Sequence, residues 1–276
     1  MILRISGADA RPFLQGLITN NVEHLNASHP IYAALLTPQG KIISDFMLFE
    51  AAAGIFIDCA SAHVSDLVSR LSRYRLRAKV SIDVLGPSTT VAAAASKPPE
   101  HLDSFATFSD PRYPGLGHRW ILNTDNPAAT LGAHGIELEP KEHYERHRIE
   151  CCIPDSVRDL EADSYFPLDC NFEELHGVDF DKGCYVGQEL TSRMKHRATS
   201  RRRILPVSAT GSLPPAGTKI TIADIEIGEM RGSLGPIGLA LVRLDKLGGA
   251  ETATTGTTNI RIGRPPYPLA IQTDHT

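Results

Sequence analysis

One short segment brings a thiol, a cation, an amide and a carboxylate within eight residues. Residues 182–189 read Lys-Gly-Cys-Tyr-Val-Gly-Gln-Glu, so that Cys184 stands between two glycines. Glycine permits tight turns and close approach of a ligand to the backbone, and a cation such as Lys182 beside a thiol favours the nucleophilic, metal-binding thiolate. The pattern favours a presented Cys184. The alternative is a buried Cys184 that packs as a small apolar side chain, since free cysteine is among the most buried residue types.

A basic run follows this segment and consists of Arg193, Lys195, His196, Arg197 and the three arginines at 201–203. The clustering is notable because the chain carries a formal net charge of −4. Arginine is suited to bidentate recognition of carboxylates and phosphates. The run therefore indicates either an anion subsite, for a carboxylate-bearing cofactor tail or an acidic partner, or a solvated linker into a C-terminal module.

Other chemistry-bearing patterns are weak. His143 and His147 are four residues apart in a predicted helix, but Tyr144 follows His143, so the zinc-protease pattern HExxH is not formed. The chain has five cysteines, an odd number without a CxxC pair, which predicts neither a disulfide scaffold nor a zinc site. P-loop, GxGxxG and GxSxG motifs are absent from the sequence. We therefore predict no metal site.

The composition bounds the class of protein. A chain of 276 residues exceeds what one core usually serves, which predicts two or three modules. Its net charge argues against a nucleic-acid partner, and no apolar stretch reaches the roughly 20 residues that span a bilayer, so we expect no membrane partner. The N-terminus lacks a basic region followed by a long apolar run, and we expect a cytoplasmic protein.

Hydrophobic patterns predict an α+β protein. A β-β-α-β succession over 41–85 is typical of a ferredoxin-like half. Residues 86–118, rich in Pro, Ala, Ser and Gly, predict a connection between modules. Short β-type runs between 204 and 243, separated by Gly and Pro, predict a small barrel, and the Thr/Gly-rich stretch 248–258 predicts a flexible loop.

The thiol segment and its surroundings resemble a known family. The run 177–193 is similar to the KGCYxGQE signature of the YgfZ folate-binding proteins, with every fixed position present. It looks especially like the branch that includes the mitochondrial iron–sulfur assembly factor of this family. Supporting similarities lie at 13–20, 37–41 with Asp45, 74–77, 166–169 and 201–203, so the resemblance extends from about residue 3 to 245.

This resemblance implies a fold shared with the T-protein of glycine cleavage (GcvT), an aminomethyltransferase that uses tetrahydrofolate. It implies a GcvT/YgfZ-like three-module ring with a ferredoxin-like module and a C-terminal β-barrel. The corresponding division is a discontinuous folate-binding module at 1–40 and 119–200, a ferredoxin-like module at 41–118 and a barrel module at 201–276.

The resemblance also implies a function: a tetrahydrofolate-binding accessory protein for assembly or repair of iron–sulfur enzymes, with Cys184 as the functional thiol. The implied partners are iron–sulfur enzymes, cluster carrier proteins and folate itself. The implied folate-binding residues are Glu150, Lys182, Tyr185, Gln188, Glu189, Arg193 and Arg202. The alternative is a tetrahydrofolate-dependent aminomethyltransferase of the T-protein kind, which leaves open whether the chain is an enzyme.

Glu150 has a physical argument of its own, because a carboxylate can accept from a pterin ring N–H and the adjacent amino group together. A helix-end glutamate in a surface ion pair is the alternative. Two departures from the family pattern bear on the site. Cys151-Cys152 stands where the family usually has Ala-Gly, and Asp181 replaces a usual lysine, which reduces the positive field near Cys184.

Overall fold

The computed structural model describes residues 1–52, 54–197 and 200–270. The chain forms two compact units, each assembled from separate parts of the sequence. The first contains Met1–Leu35, Ser44–Lys141 and His176–Val186; the second contains Leu36–Ile43, Glu142–Leu175 and the chain from Gly187 onward.

A five-stranded sheet contains the most apolar strands of the N-terminal half. Its strands are β1 (Ile2–Ser6), β2 (Ile31–Leu36), β3 (Ile42–Ala51), β4 (Gly54–Cys59) and β5 (Ser81–Val84), in the order β2-β3-β4-β1-β5. β1 pairs antiparallel with both β4 and β5. Helix α1 (Ala10–Gln15) follows β1, and α2 (Val64–Arg75) precedes β5 with Val64, Leu67 and Leu71 buried at helical spacing.

The predicted β-β-α-β succession is present as β3, β4, α2 and β5, but it does not form a sheet by itself. β1 lies between β4 and β5, and its Leu3 and Ile5 are fully buried. The predicted boundary at residue 40 separates β2 from β3, which are neighbours in this sheet. The three-module division itself stays a prediction.

Residues 86–118 are not the simple connection we predicted. They contain β6 (Thr89–Ala94) and β7 (Ser104–Ser109), which flank β8 (His118–Asn123) in a three-stranded sheet of order β6-β8-β7. The small side chains of β6 give only a weak strand pattern. One core of this sheet depends on Trp120 and Leu122 of β8, which pack with buried residues outside the strands. Helix α3 (Pro127–Gly132) follows, and its Leu131 completes this core.

The second unit contains α4 (Lys141–Glu150, whose first residue belongs to the first unit), α5 (Gln188–His196) and a closed β-barrel. The barrel order is β10-β11-β12-β9-β14-β13. Its strands are β9 (Arg202–Ser208), β10 (Lys219–Ile222), β11 (Ile225–Leu234), β12 (Ile237–Arg243), β13 (Thr252–Thr255) and β14 (Thr258–Ile262), with the short α6 (Leu244–Leu247) after β12. Short 3₁₀ turns lie at Val22–His24, Ser61–His63, Pro114–Leu116 and Pro167–Cys170.

The barrel was predicted, but the hairpin that closes it was not. Residues 248–258, expected to be a flexible loop, contain β13 and the first residue of β14, which pair around Gly256 at φ 58°. Threonine is β-branched and favours strands, so composition alone was misleading here. Residues 198–199 and 271–276, which the predicted modules include, lie outside the described residues. Within the described part of the chain, no helix is both long and apolar enough to cross a membrane.

Candidate functional site

Cys184 lies in the segment His176–Val186 of the first unit, which we call the Cys184 loop, and its side chain is exposed. All five cysteines fall in the described part of the chain, and the other four are buried. Burial raises the pKa of Cys59 and of Cys152 to about 12 and that of Cys170 well above its ordinary value. Because the Cys184 side chain is exposed, the alternative of a buried, packed Cys184 is wrong.

The Cys184 loop is held by residues 16–20, which we call the anchor segment. The Thr19 hydroxyl donates to the Gly177 carbonyl at 2.6 Å, and the Asn20 amide donates to the His176 carbonyl at 2.7 Å. Two backbone bonds add to this contact, from Asp179 N to Thr19 O at 3.1 Å and from Val186 N to Gly16 O at 3.3 Å. The exposed thiol therefore lies on a loop fixed near both ends.

Lys182 completes this attachment. Its ammonium donates to the carbonyls of Ile18 and Asn20, at 2.6 and 2.7 Å, and the residue is only 5% exposed. Burial lowers the pKa of Lys182 to about 8, with Asp179 opposing the shift. The sequence suggested a cation that acts on the Cys184 thiol; the structure instead places the ammonium on two backbone carbonyls.

The interior of the loop is shaped by the Asp179 carboxylate. Its Oδ1 accepts from the backbone N–H of Asp181 at 2.8 Å and of Lys182 at 3.0 Å, an Asx-type turn. Tyr185 is buried and its ring lies 5.0 Å from the Lys182 ammonium. Lys182 and Tyr185 are therefore internal supports of the loop, whereas Cys184 is its exposed group.

The anchor residues were missed as functional residues. The stretch 13–20 carries a family similarity, and within it Thr19 and Asn20 directly follow an apolar stripe and are themselves buried. A buried Thr-Asn pair requires polar partners, and this is the signal that the sequence contained. The partners are up to 158 positions away, and no spacing rule identifies them.

Replacing Thr19 with valine tests the anchor. The hydroxyl donates to Gly177 O and accepts from the Ala34 N–H at 2.8 Å, and both contacts are buried. We expect the isosteric Thr19→Val to lower the free energy of unfolding by about 1–3 kcal/mol and to speed hydrogen exchange in the Cys184 loop. Urea unfolding and exchange mass spectrometry measure both. Thr221→Val, which removes an exposed hydroxyl paired with Thr254, is the control, and equal effects of the two variants would contradict the assignment.

In the second unit, Glu150 is exposed at the last residue of α4. Arg148, two residues earlier, is 1% exposed and donates to the Asp159 carboxylate at 2.6 Å and to Glu145. It also donates to the Ile153 carbonyl beyond the helix. This network fixes the end of α4 and therefore the position of the Glu150 backbone.

The Cys151-Cys152 pair, which departs from the family pattern, does not disturb the end of α4. Cys152 is fully buried at φ 56°, a left-handed conformation that glycine adopts most readily. Its carbonyl accepts from the Tyr267 hydroxyl at 2.6 Å, and its thiol donates to Ile204 O at 3.4 Å. The cysteine thus holds a left-handed backbone conformation at the position where the family pattern has glycine.

The two glycines of the thiol segment have different roles. Gly187 precedes α5 at φ 83°, and a Cβ there would lie 2.5 Å from the carbonyl oxygen of Thr37. This position requires glycine, because the backbone of the 37–40 turn approaches it. A Cβ at Gly183 would meet nothing within 4 Å. The segment therefore needs only one of its glycines for close packing.

The basic run is divided between internal ion pairs and exposed cations. Lys195 pairs with Glu173, and Arg203 pairs with Glu174 at 2.8 Å with both side chains buried. Arg201 lies 3.6 Å from Asp245. Arg193 and Arg202 are exposed and form no ion pair among the residues that the structure describes. Arg197 is likewise exposed without an ion pair in the described ranges, so these three guanidinium groups are available to an anion.

The predicted site residues are thus distributed over both units. Cys184, Lys182 and Tyr185 belong to the first, and the remaining predicted residues, Glu150, Gln188, Glu189, Arg193 and Arg202, belong to the second. Glu189 is exposed and Gln188 half-buried in the first turn of α5. A cavity of about 740 Å³ on the barrel is lined by residues such as Thr221, Thr254 and Arg261 and by no predicted site residue. Over the described ranges, no three or more His, Cys, Asp or Glu side chains cluster as a metal site.

Comparison with known proteins identifies a matching family model for the barrel and relatives that cover most of the chain. The family model described as "CAF17, C-terminal beta-barrel domain" matches residues 201–268. The "Iron-sulfur cluster assembly factor IBA57, mitochondrial" of Homo sapiens is 32% identical over 275 residues, covering 90% of this chain and 76% of that protein. The Mus musculus protein of the same name is 32% identical over 278 residues, covering 90% and 76%.

Among solved structures, the glycine cleavage system aminomethyltransferase T from Bartonella henselae superposes with a TM-score of 0.74 at 14% sequence identity. The match covers 96% of this chain and 83% of that one. The predicted GcvT-like fold with a C-terminal β-barrel is confirmed. The predicted cytoplasmic localisation is wrong, because the relatives of this chain are named as mitochondrial proteins.

Proposed function

The chain belongs to the IBA57 family of iron–sulfur cluster assembly factors, and on this premise we propose that it binds tetrahydrofolate and uses the Cys184 thiol in assembly or repair of iron–sulfur enzymes. Its partners are then iron–sulfur enzymes and cluster carrier proteins. The folate acts as a bound cofactor of an accessory protein.

One observation carries this proposal: Cys184 is exposed while the other four cysteines are buried. A thiol must be accessible to engage a cluster, a metal or a partner thiol. The anchor segment fixes the loop that carries Cys184, and a reactive group on a fixed support engages its partner at a lower entropic cost. Exposure together with a fixed loop supports a functional thiol.

The residues of the second unit fit a folate in part. Glu150 offers an exposed carboxylate, which matches the paired donors of a pterin ring. Arg193 and Arg202 offer exposed guanidinium groups to the carboxylates of a folate tail, and Gln188 and Glu189 add polar groups at the start of α5. Tetrahydrofolate would supply one-carbon carrier chemistry to the site when bound.

Lys182 and Tyr185 do not fit the same role. Both are buried, and the Lys182 ammonium is already bonded to two carbonyls. We propose that they support the loop that carries Cys184 and do not contact the folate. The aminomethyltransferase alternative rests on a fold likeness at 14% identity, which extends to the fold alone, and we do not propose it.

Replacing Glu150 with glutamine tests the folate part of the proposal. The amide keeps the shape of the side chain but loses the charge and one acceptor, so we expect tetrahydrofolate affinity to fall about 10- to 100-fold. Anaerobic calorimetric titration of the full chain measures this effect. Glu142→Gln, an exposed glutamate in the first turn of the same helix, is the control.

The same preparations are purified with and without tetrahydrofolate, and bound ligand, thiol labelling and iron absorption are recorded together. Unchanged affinity in Glu150→Gln removes this residue from the site. A wild-type chain that binds no tetrahydrofolate contradicts the folate part of the proposal altogether.

A further inference from the structure

A second basic segment lies outside the proposed site. Residues 67–82 contain five cations and no carboxylate, on a chain whose net charge is −4. The cations are Arg70, Arg73, Arg75, Arg77 and Lys79. A local excess of one charge creates a field that attracts an oppositely charged partner, and the proposed function does not use this segment.

Four of these cations face solvent without a counter-charge. Arg70 bonds Asp66 at 2.6 Å. The other four, Arg73, Arg75, Arg77 and Lys79, are exposed and form no ion pair within the ranges that the structure describes. Cations near a helix C-terminus are favoured by its dipole, which accounts for Arg75 at the last residue of α2. Arg77 and Lys79 lie beyond the helix, so the dipole does not account for them.

An apolar side chain protrudes among these cations. Leu76, directly after α2, is 88% exposed, and Tyr74 is 40% exposed. Leu76 has φ 42° and ψ −108°, a conformation that side-chain-bearing residues rarely adopt. Strained positions of this kind concentrate at binding sites, where the surrounding structure maintains them.

The surrounding structure does fix this turn. The Asp9 carboxylate accepts from the Lys79 backbone N–H at 2.7 Å. Gly7, at φ 113°, packs so closely that a Cβ there would lie 2.1 Å from the Lys79 carbonyl oxygen. Residues 73–79, which we call the basic turn, are therefore held between α2 and this contact with Leu76 projecting into solvent.

We propose that the basic turn is a docking surface for an anionic phospholipid membrane. The cations would bind lipid phosphates while Leu76 and the Tyr74 ring enter the apolar layer just beneath them. A charged bilayer surface places negative charge directly above hydrocarbon, and the basic turn has the complementary arrangement. Such peripheral contact needs no membrane-spanning helix, so it replaces our expectation of no membrane partner, which rested only on the lack of an apolar stretch long enough to span a bilayer.

Other anionic partners match the basic turn less well. Stable protein interfaces bury roughly 800 Å² on each partner around a contiguous apolar centre, whereas two apolar side chains flanked by cations form no such centre. Nucleic acid would engage the cations but leave the aliphatic Leu76 without a stacking role. Membrane docking is also independent of folate and of Cys184.

Vesicle co-sedimentation of the full chain tests the proposal. We expect binding to phosphatidylcholine vesicles with about 30 mol % phosphatidylglycerol, little binding to pure phosphatidylcholine, and loss of binding as salt rises from about 0.1 to about 0.5 M. Each basic residue near an anionic surface contributes about a five-fold change in partitioning, so Arg75→Glu with Arg77→Glu lowers binding more than about ten-fold.

Matched variants distinguish the basic turn from the effects of net charge and of losing any exposed apolar side chain. Arg261→Glu with Arg264→Glu makes the same change in net charge at exposed arginines of the C-terminal part and is expected to leave vesicle binding within about two-fold of wild type. Leu76→Gly, which relieves the backbone strain, lowers binding about three- to ten-fold, whereas Ile225→Gly at another exposed apolar residue does not.

Three results overturn the proposal: no binding of wild type to anionic vesicles, equal loss in the two charge-reversal variants, or unchanged binding in Leu76→Gly. If the chain binds an oligoglutamate peptide but not vesicles, the basic turn serves acidic proteins and membrane docking is wrong.

Discussion

Replacing Cys184 with serine is expected to abolish iron–sulfur assembly by this chain while its stability and folate affinity stay unchanged. Serine keeps the size of the side chain, and its hydroxyl does not ionise at neutral pH or ligate iron as a thiolate does. Since Cys184 is exposed, the substitution disturbs no packing. We expect at least about a ten-fold loss of activity of an iron–sulfur enzyme reporter in cells that depend on this chain.

The structure offers a close control for this experiment. Gly183→Ser places the same hydroxyl one residue earlier in the Cys184 loop, where a Cβ meets nothing within 4 Å. We expect it to keep reporter activity. Thiol labelling of the native proteins should modify one cysteine in wild type and in Gly183→Ser, and none in Cys184→Ser, because the other four are buried.

The opposite outcome discriminates between the two functions that the sequence left open. If Cys184→Ser keeps reporter activity but loses formation of methylene-tetrahydrofolate, the assembly role of the thiol is wrong. The transferase alternative would then replace it. Loss of both activities together with normal stability would place Cys184 in a site that the two processes share.

Replacing Arg148 with methionine is expected to lower the free energy of unfolding by about 3–5 kcal/mol at neutral pH. The Asp159 carboxylate is completely buried and bonded to Arg148 at 2.6 Å. A Cβ at Gly232 would lie 1.8 Å from this carboxylate, so the site is tightly enclosed. Removing the guanidinium therefore leaves a buried carboxylate without its counter-charge.

The pH dependence of this loss has a defined sign. Burial raises the pKa of Asp159 in the folded protein, with Arg148 opposing the shift. Without Arg148 the pKa rises further, so the folded variant takes up a proton that the unfolded chain does not, and its stability increases as the pH falls. Urea unfolding at about pH 5 and about pH 7.5 should show a smaller deficit at the lower pH.

Arg146→Met is the control, since Arg146 is exposed on the same helix. Arg148→Met should also weaken folate binding, because the end of α4 positions Glu150. An Arg148→Met protein as stable as Arg146→Met at both pH values would show that the buried network contributes nothing to α4. Normal stability with weakened folate binding would instead indicate direct contact of Arg148 with the ligand.

The sequence predicted those parts of the fold that depend on local pattern. The four β-type runs of 204–243 identified the barrel, and β3, β4, α2 and β5 appeared in the expected order. Prediction failed where small or hydroxyl side chains form strands, as in β6 and β13, because their burial depends on which apolar residues the rest of the chain brings against them.

By itself the sequence determined that residues 182–189 are exceptional, since the types and spacing of a thiol, glycines, an amide and a carboxylate are local facts. Only the tertiary structure decided what each residue does there. It placed the Lys182 ammonium on the carbonyls of Ile18 and Asn20 and left Cys184 exposed. These contacts join positions more than 160 residues apart, and packing of the whole chain, which no local spacing encodes, sets which distant backbone groups a buried cation must satisfy.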